Sequence, residues 1–220
     1  MAGVRVVAAI AMEGVAVSNK EEGNEFLIHI PPLISMIKVS LLIKHKLHDR
    51  FNLPTEGLEK KFPNIQKSWK KNESNILKGL EKITGLFFVK DYDIYLIDPN
   101  TSYSISKPII IGTKGNSNKT VRVIIHELIH NLMLDNSQSD NWSLKIQTLF
   151  PKENKKTAIH IAVHAILEAV YVDILKQSKE ISKDIEECKG FPDYKRAWEI
   201  VKKEGYQSII SQLKNETQLI

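Results

Sequence analysis

Between Lys119 and Met133 the apolar positions Val121, Ile124, Ile125, Leu128, Ile129 and Leu132 recur at intervals of three and four, which predicts a helix with a wide buried stripe. Ser117 or Asn118 stands where an N-cap belongs, and Asp135-Asn136 supplies a stop. A second helix is predicted over Thr157–Leu175, apolar on most of its circumference and capped by Asn154 or Thr157. Ahead of both lie short apolar runs, Leu86–Val89, Ile94–Ile97 and Pro108–Gly112, which read as strands. Lys90–Asp93 and Asp98-Pro99-Asn100 separate them, and Pro108 falls at a strand start, where a missing amide proton is tolerated. Thr113–Asn118 reads as a loop. Residues 33–84 read mostly as helix, with breaks at Asn52-Leu53-Pro54 and Phe62-Pro63. Gly190–Asp193 sets off a last amphipathic helix from about Tyr194 to Leu213. The fold class expected from this pattern is α+β.

The first of these helices carries His126-Glu127-Leu128-Ile129-His130, an H-E-x-x-H motif. On a helix His126 and His130 lie one turn apart on one face, so both imidazoles reach one metal ion. Glu127 lies beside them, where its carboxylate can take a proton from water activated there. A helix this apolar must satisfy its buried histidines and acid, and a metal does so.

A catalytic zinc takes three protein ligands, so a third is needed. A Gly and a His extending the motif would fall at Met133 and Asn136 and are absent. A Glu about twenty residues beyond the second His would fall near Leu149 and Phe150 and is also absent. Asp140 is the nearest acid, without a Gly-Thr-x-x-Asp segment around it. The second helix offers more: His160, His164 and Glu168 stand at i, i+4 and i+8, a polar strip on an apolar helix. Either Glu168 or His164 can complete the site, the other then serving as a supporting partner or substrate contact. Two plainer alternatives stand beside this: Glu168 pairs with a lysine, and His160 is an ordinary helix-start residue.

With these residues the chain resembles the zincin metallopeptidases, and with Glu168 as third ligand their gluzincin branch. The resemblance covers about residues 86–177. It implies a short mixed β-sheet packed on the H-E-x-x-H helix, a second ligand-bearing helix and flanking helices. It implies zinc (Zn2+) held by His126, His130 and Glu168, with Glu127 as general base and then acid in peptide hydrolysis. His164 is the expected oxyanion donor in that arrangement, ahead of Tyr171. It further implies an edge strand at Ile109–Gly112 that binds a peptide or protein substrate by strand addition; a purely structural sheet is the alternative. The chain departs from the branch in the long separation of His130 from Glu168, and in Asp173, one place beyond the usual Glu-x-x-x-Asp partner.

Composition changes this picture only at its margins. Over 220 residues, 42% hydrophobic and 26% charged, the chain matches an ordinary globular protein. The expected organisation is a loose extension (1–24), a mainly helical part (25–85), a zincin-like core (86–177) and a C-terminal helical segment (178–220), together one compact unit. The net charge of +5 is spread over lysine-rich helices without interleaved aromatics, so no nucleic-acid partner is expected. Cys188 is the single cysteine, so neither an internal disulfide nor a cysteine metal site is expected, and a reducing, cytoplasmic setting is favoured. The lone cysteine also argues against a peptide deformylase, a family that draws a cysteine ligand from upstream of its motif. Val4–Val17 is faintly signal-like but interrupted by Glu13, and no stable membrane span is expected. Three classes of function fit: a zinc peptidase, a zincin-shaped zinc-binding protein without turnover that regulates or interacts, and a helical interaction protein with an accidental motif.

Overall fold

A computed structural model of the chain describes residues 39–43, 57–97, 100–138 and 141–215. In chain order the elements are β1 (Val39–Ile43), α1 (Leu58–Thr84), β2 (Tyr92–Ile97), β3 (Ser104–Ile105), β4 (Ile109–Gly112), α2 (Ser117–Asp135), α3 (Trp142–Leu149), α4 (Lys155–Ala169), α5 (Lys179–Cys188), α6 (Pro192–Glu204) and α7 (Tyr206–Asn215). A single π-helical turn, Val170–Ile174, continues α4. The protein is α+β, mostly helical, with one small mixed sheet. The extension 1–24, the Asn52-Leu53-Pro54 break, Asp98 and Pro99 of the expected turn, and Asp140 lie outside the described residues.

The sheet order is β1-β2-β4-β3. β1 runs parallel to β2 with Val39 opposite Tyr92, and β2 parallel to β4 with Ile94 opposite Ile109. β3 is antiparallel to β4, Ser104 facing Ile111. Ile109–Gly112 was expected at the edge and is instead paired on both sides. The chain after β2 folds back as β3 and takes the edge itself. Gly112 makes that return possible, because a Cβ there would overlap the Thr101 backbone. Its amide donates to the Tyr103 carbonyl at 2.7 Å.

Leu86–Val89 is extended but joins no sheet. Leu86 and Phe88 are buried while Phe87 and Val89 are exposed, which is the alternation of a strand. Its backbone partners, however, are side chains. The Asn136 amide donates to the Phe87 carbonyl at 2.8 Å and accepts from the Phe87 amide at 3.4 Å, while Phe88 donates to Glu81 Oε1 at 3.1 Å. A strand pattern with its hydrogen bonds already met needs no neighbouring strand.

Three further boundaries differ from expectation for local reasons. Val39–Ile43, read with the helical part, is a strand in which Val39 and Leu41 are buried. α1 runs unbroken through Pro63, its sixth residue, which forfeits the backbone hydrogen bond its missing N–H would make to the Glu59 carbonyl. The last helix is two, α6 and α7, divided at Gly205, whose φ of 83° and ψ of 133° lie where other residues rarely go. The cap of α2 is Asn116, not Ser117 or Asn118, which lie inside the helix, and that of α4 is Asn154. Asn116 accepts from the Lys119 amide at 2.9 Å and Asn154 from the Thr157 amide at 3.0 Å.

α4 is the central helix, packed against α1, α2, α3, α6 and α7. Every residue from His160 to Tyr171 is buried. Lys155–Ile174 is long and apolar enough to cross a membrane by length and composition, but 78% of that window is buried inside the protein, consistent with no stable membrane span. Ile161, Val163, Ile166 and Leu167 are fully enclosed, each stabilising the fold by about 1.5–3 kcal/mol. α5 is clasped to α2 by Arg122, itself 1% exposed. Its Nη1, Nε and Nη2 donate to Glu180, Asp184 and Glu187 at 2.9, 2.8 and 2.7 Å.

Candidate metal centre

One turn of α2 separates His126 from His130, and helical geometry turns the two rings toward each other, Nε2 to Nε2, at 3.2 Å. Two neutral imidazoles cannot both point a lone pair across that gap comfortably, whereas two ligands of a tetrahedral zinc sit about this far apart. The third member comes from α4. His126, His130 and His160 each offer a ligand atom, all within 4.8 Å of one another, and their ring centroids are 5.0–5.3 Å apart.

His160 is set for this by its own helix. Its Nδ1 donates to the Lys156 carbonyl at 2.7 Å, which fixes the tautomer and leaves a lone pair on Nε2. That Nε2 is buried with no hydrogen-bond partner. An orphaned buried acceptor beside two converging imidazoles fits a divalent cation, and the all-nitrogen donor set suits zinc.

The electrostatics keep the rings available. Burial pushes His126 and His130 down to about 3, helped at His126 by His160 and at His130 by His126 and His160. Burial lowers His160 too. All three are neutral at neutral pH, the form that ligates metal.

Glu127 is 4% exposed, and its charge reaches the group, pulling upward on the titration of His130, His160 and Tyr194. Ser106, just past β3, orients it: Ser106 Oγ donates to Glu127 Oε2 at 2.5 Å. The same residue is held from α2 a second time, because Asn131 Nδ2 donates to the Ser106 carbonyl at 2.8 Å. The sheet edge is thereby fastened to the helix that carries the motif. Tyr194 of α6 covers the rings, 4.1 Å from His160 and stacked on His126 at 6.0 Å. Burial, then Glu127, pushes its phenol up to about 12, so it keeps its proton.

Glu168, expected as third ligand through the resemblance, is not brought to this group. It lies two turns beyond His160, roughly 12 Å along the helix. Its Oε1 accepts from Lys202 Nζ at 2.6 Å. His164 has no exposed surface; Trp198 stacks on it at 4.4 Å with an interplanar angle of 12°. It is closed off from solvent on every side. Tyr171 is buried beyond it, 2% exposed.

The i, i+4 strip on the second helix pointed to this face of α4, but not to which of its members would meet α2. Ser106 and Tyr194 carried no signal, since both reach the site only through tertiary packing. No family model, curated protein or solved structure matches the chain.

Proposed function

We propose that the protein is a zinc-dependent peptidase of zincin type, with zinc held by His126, His130 and His160 and Glu127 as general base. The observation that carries this reading is the convergence of three neutral imidazoles, one with an orphaned buried Nε2, beside the carboxylate of an H-E-x-x-H motif. When bound, zinc supplies Lewis acidity that polarises a carbonyl and acidifies water to a pKa of about 7.

The chain's own residues do the rest. Glu127 accepts a proton from the attacking water and returns it to the departing amine nitrogen, the task its burial and its Ser106 hydrogen bond orient it for. Tyr194, a protonated phenol packed on the ligand rings, donates to the oxyanion as it develops. Ser104–Ile105 is the sheet edge next to the motif helix, suited to pairing with an extended peptide backbone.

A zinc-binding protein without turnover is the second reading, favoured by how fully Glu127 is withdrawn from solvent and occupied by Ser106. One experiment separates them: zinc content and cleavage of a peptide library, for wild type and Glu127→Gln. The peptidase reading expects full zinc in both and cleavage lost in the variant, by a factor of at least about 100. Equal cleavage by both would sink it, and zinc without cleavage by either would favour the binding protein.

A further inference from the structure

His164 is 0% exposed, and neither of its ring nitrogens has a hydrogen-bond partner. A neutral imidazole always carries one N–H and one lone pair, so packing alone leaves both buried and unmet. The His164 ring lies 5.8 Å from that of His126 and 5.7 Å from that of His160, but the ligand group it joins is another. Its ligand atoms instead lie within 4.8 Å of a carboxylate oxygen of Asp184 and of Cys188 Sγ, one turn apart on α5.

The surroundings are arranged for two of these donors already. Asp184 Oδ1 accepts from Arg122 Nε at 2.8 Å. Its Oδ2 accepts from Trp198 Nε1 at 3.0 Å and from Cys188 Sγ at 3.6 Å. Arg122 therefore holds the carboxylate by one oxygen and presents the other toward the thiol and the imidazole. Trp198 closes the opposite side, with its ring on His164 and its N–H on Asp184.

We infer that His164, Asp184 and Cys188 form a second metal site, independent of the three-histidine group, and that its occupant is zinc or a similar borderline-soft divalent ion. One imidazole, one carboxylate and one thiolate are a donor set zinc takes readily. A tetrahedral zinc holds its donors roughly 3.5 Å apart, so the three need close by only about an ångström. Binding breaks the Cys188 S–H bond, releases that proton to solvent and forms the metal–sulfur bond. Thiolate and carboxylate then balance the two positive charges, and one of the two orphaned His164 nitrogens gains a partner. Nothing in this depends on peptidase activity.

Cys188 is the only cysteine among the 220 residues, so any thiolate-to-metal charge transfer reports this site alone. The test is cobalt(II) titration of the metal-free full chain, followed by absorption and metal analysis. Two equivalents should bind, with a near-ultraviolet thiolate-to-cobalt band. Cys188→Ser should lose the band and one equivalent; His126→Ala should lose the other equivalent and keep the band. A band with a single equivalent, unaffected by His126→Ala, would support this site while removing the three-histidine one. Absence of the band in cobalt-treated wild type would overturn the proposal. So would alkylation of Cys188 by iodoacetamide at the same rate with and without cobalt, a readout that needs no variant to fold.

Discussion

Lys202 Nζ lies 2.6 Å from Glu168 Oε1, an ion pair that joins α6 to the central helix and occupies the carboxylate the sequence offers as a zinc ligand. Glu168 Oε2 and His160 Nε2 are both buried without a partner, but it is His160, two turns earlier, that offers a ligand atom beside His126 and His130. His160→Ala should therefore lose the one equivalent of zinc held by the three-histidine group, while Glu168→Gln should leave that equivalent near full occupancy. Equilibrium dialysis with metal analysis measures both. A supporting residue costs about 10–100-fold in affinity, a ligand far more, so the ranking is readable. The opposite ranking would return the ligand role to Glu168.

Ser106 touches Glu127 rather than any group of a substrate. Ser106→Ala should keep zinc and fold, and lower kcat about tenfold with KM little changed, the loss expected when a base is less well oriented. A change confined to KM would mean that Ser106 serves binding, not the base.

What the sequence disclosed and what it withheld divide along one line. His126, Glu127 and His130 belong to a single helical turn, so their juxtaposition follows from local spacing. The second helix, its cap and its polar strip were equally local. The meeting of α4 with α2 was not: which turn of one helix faces which turn of another depends on packing across the core. That is why His160 rather than Glu168 stands against His126. The sheet failed in the same manner. Leu86–Val89 has a strand's alternation, but the Asn136 side chain, in a distant segment, takes its hydrogen bonds. Whether Ile109–Gly112 lies inside or at the edge turned on Ser104–Ile105, two residues with too little pattern to read.

Acid should unfold the metal-free protein early. His126 and His130 stay neutral in the fold down to about 3, yet protonate near 6.5 once unfolded. Between those values the unfolded chain binds more protons, so stability rises with pH across that window and is lost as pH falls from about 6.5 toward 3. Thermal unfolding in chelator should show Tm falling steadily from pH 7 to pH 5, with about two protons taken up on unfolding from this pair alone. A flat Tm over that range would mean that the rings do not stay neutral in the fold.

Arg122 is enclosed with three carboxylates around it. Arg122→Met keeps the bulk and removes the charge, leaving Glu180 and Asp184 without their buried partner. The expected loss is about 3–5 kcal/mol, read as a lower urea midpoint with an unchanged slope. A loss below 1 kcal/mol would show that the acids rehydrate easily and that α5 is only loosely seated.

The stacking of Trp198 on His164 turns part of the core into an optical reporter. Burial, reinforced by His126, His160 and His130, keeps His164 uncharged well below its ordinary range, with its ring stacked on the indole. Trp69 and Trp142, the remaining tryptophans, are also fully enclosed. A paramagnetic ion drawn to α4 would dim the Trp198 component selectively, and Trp198→Phe would silence the change. The protein thus carries a native gauge of what its central helix holds, readable without a label.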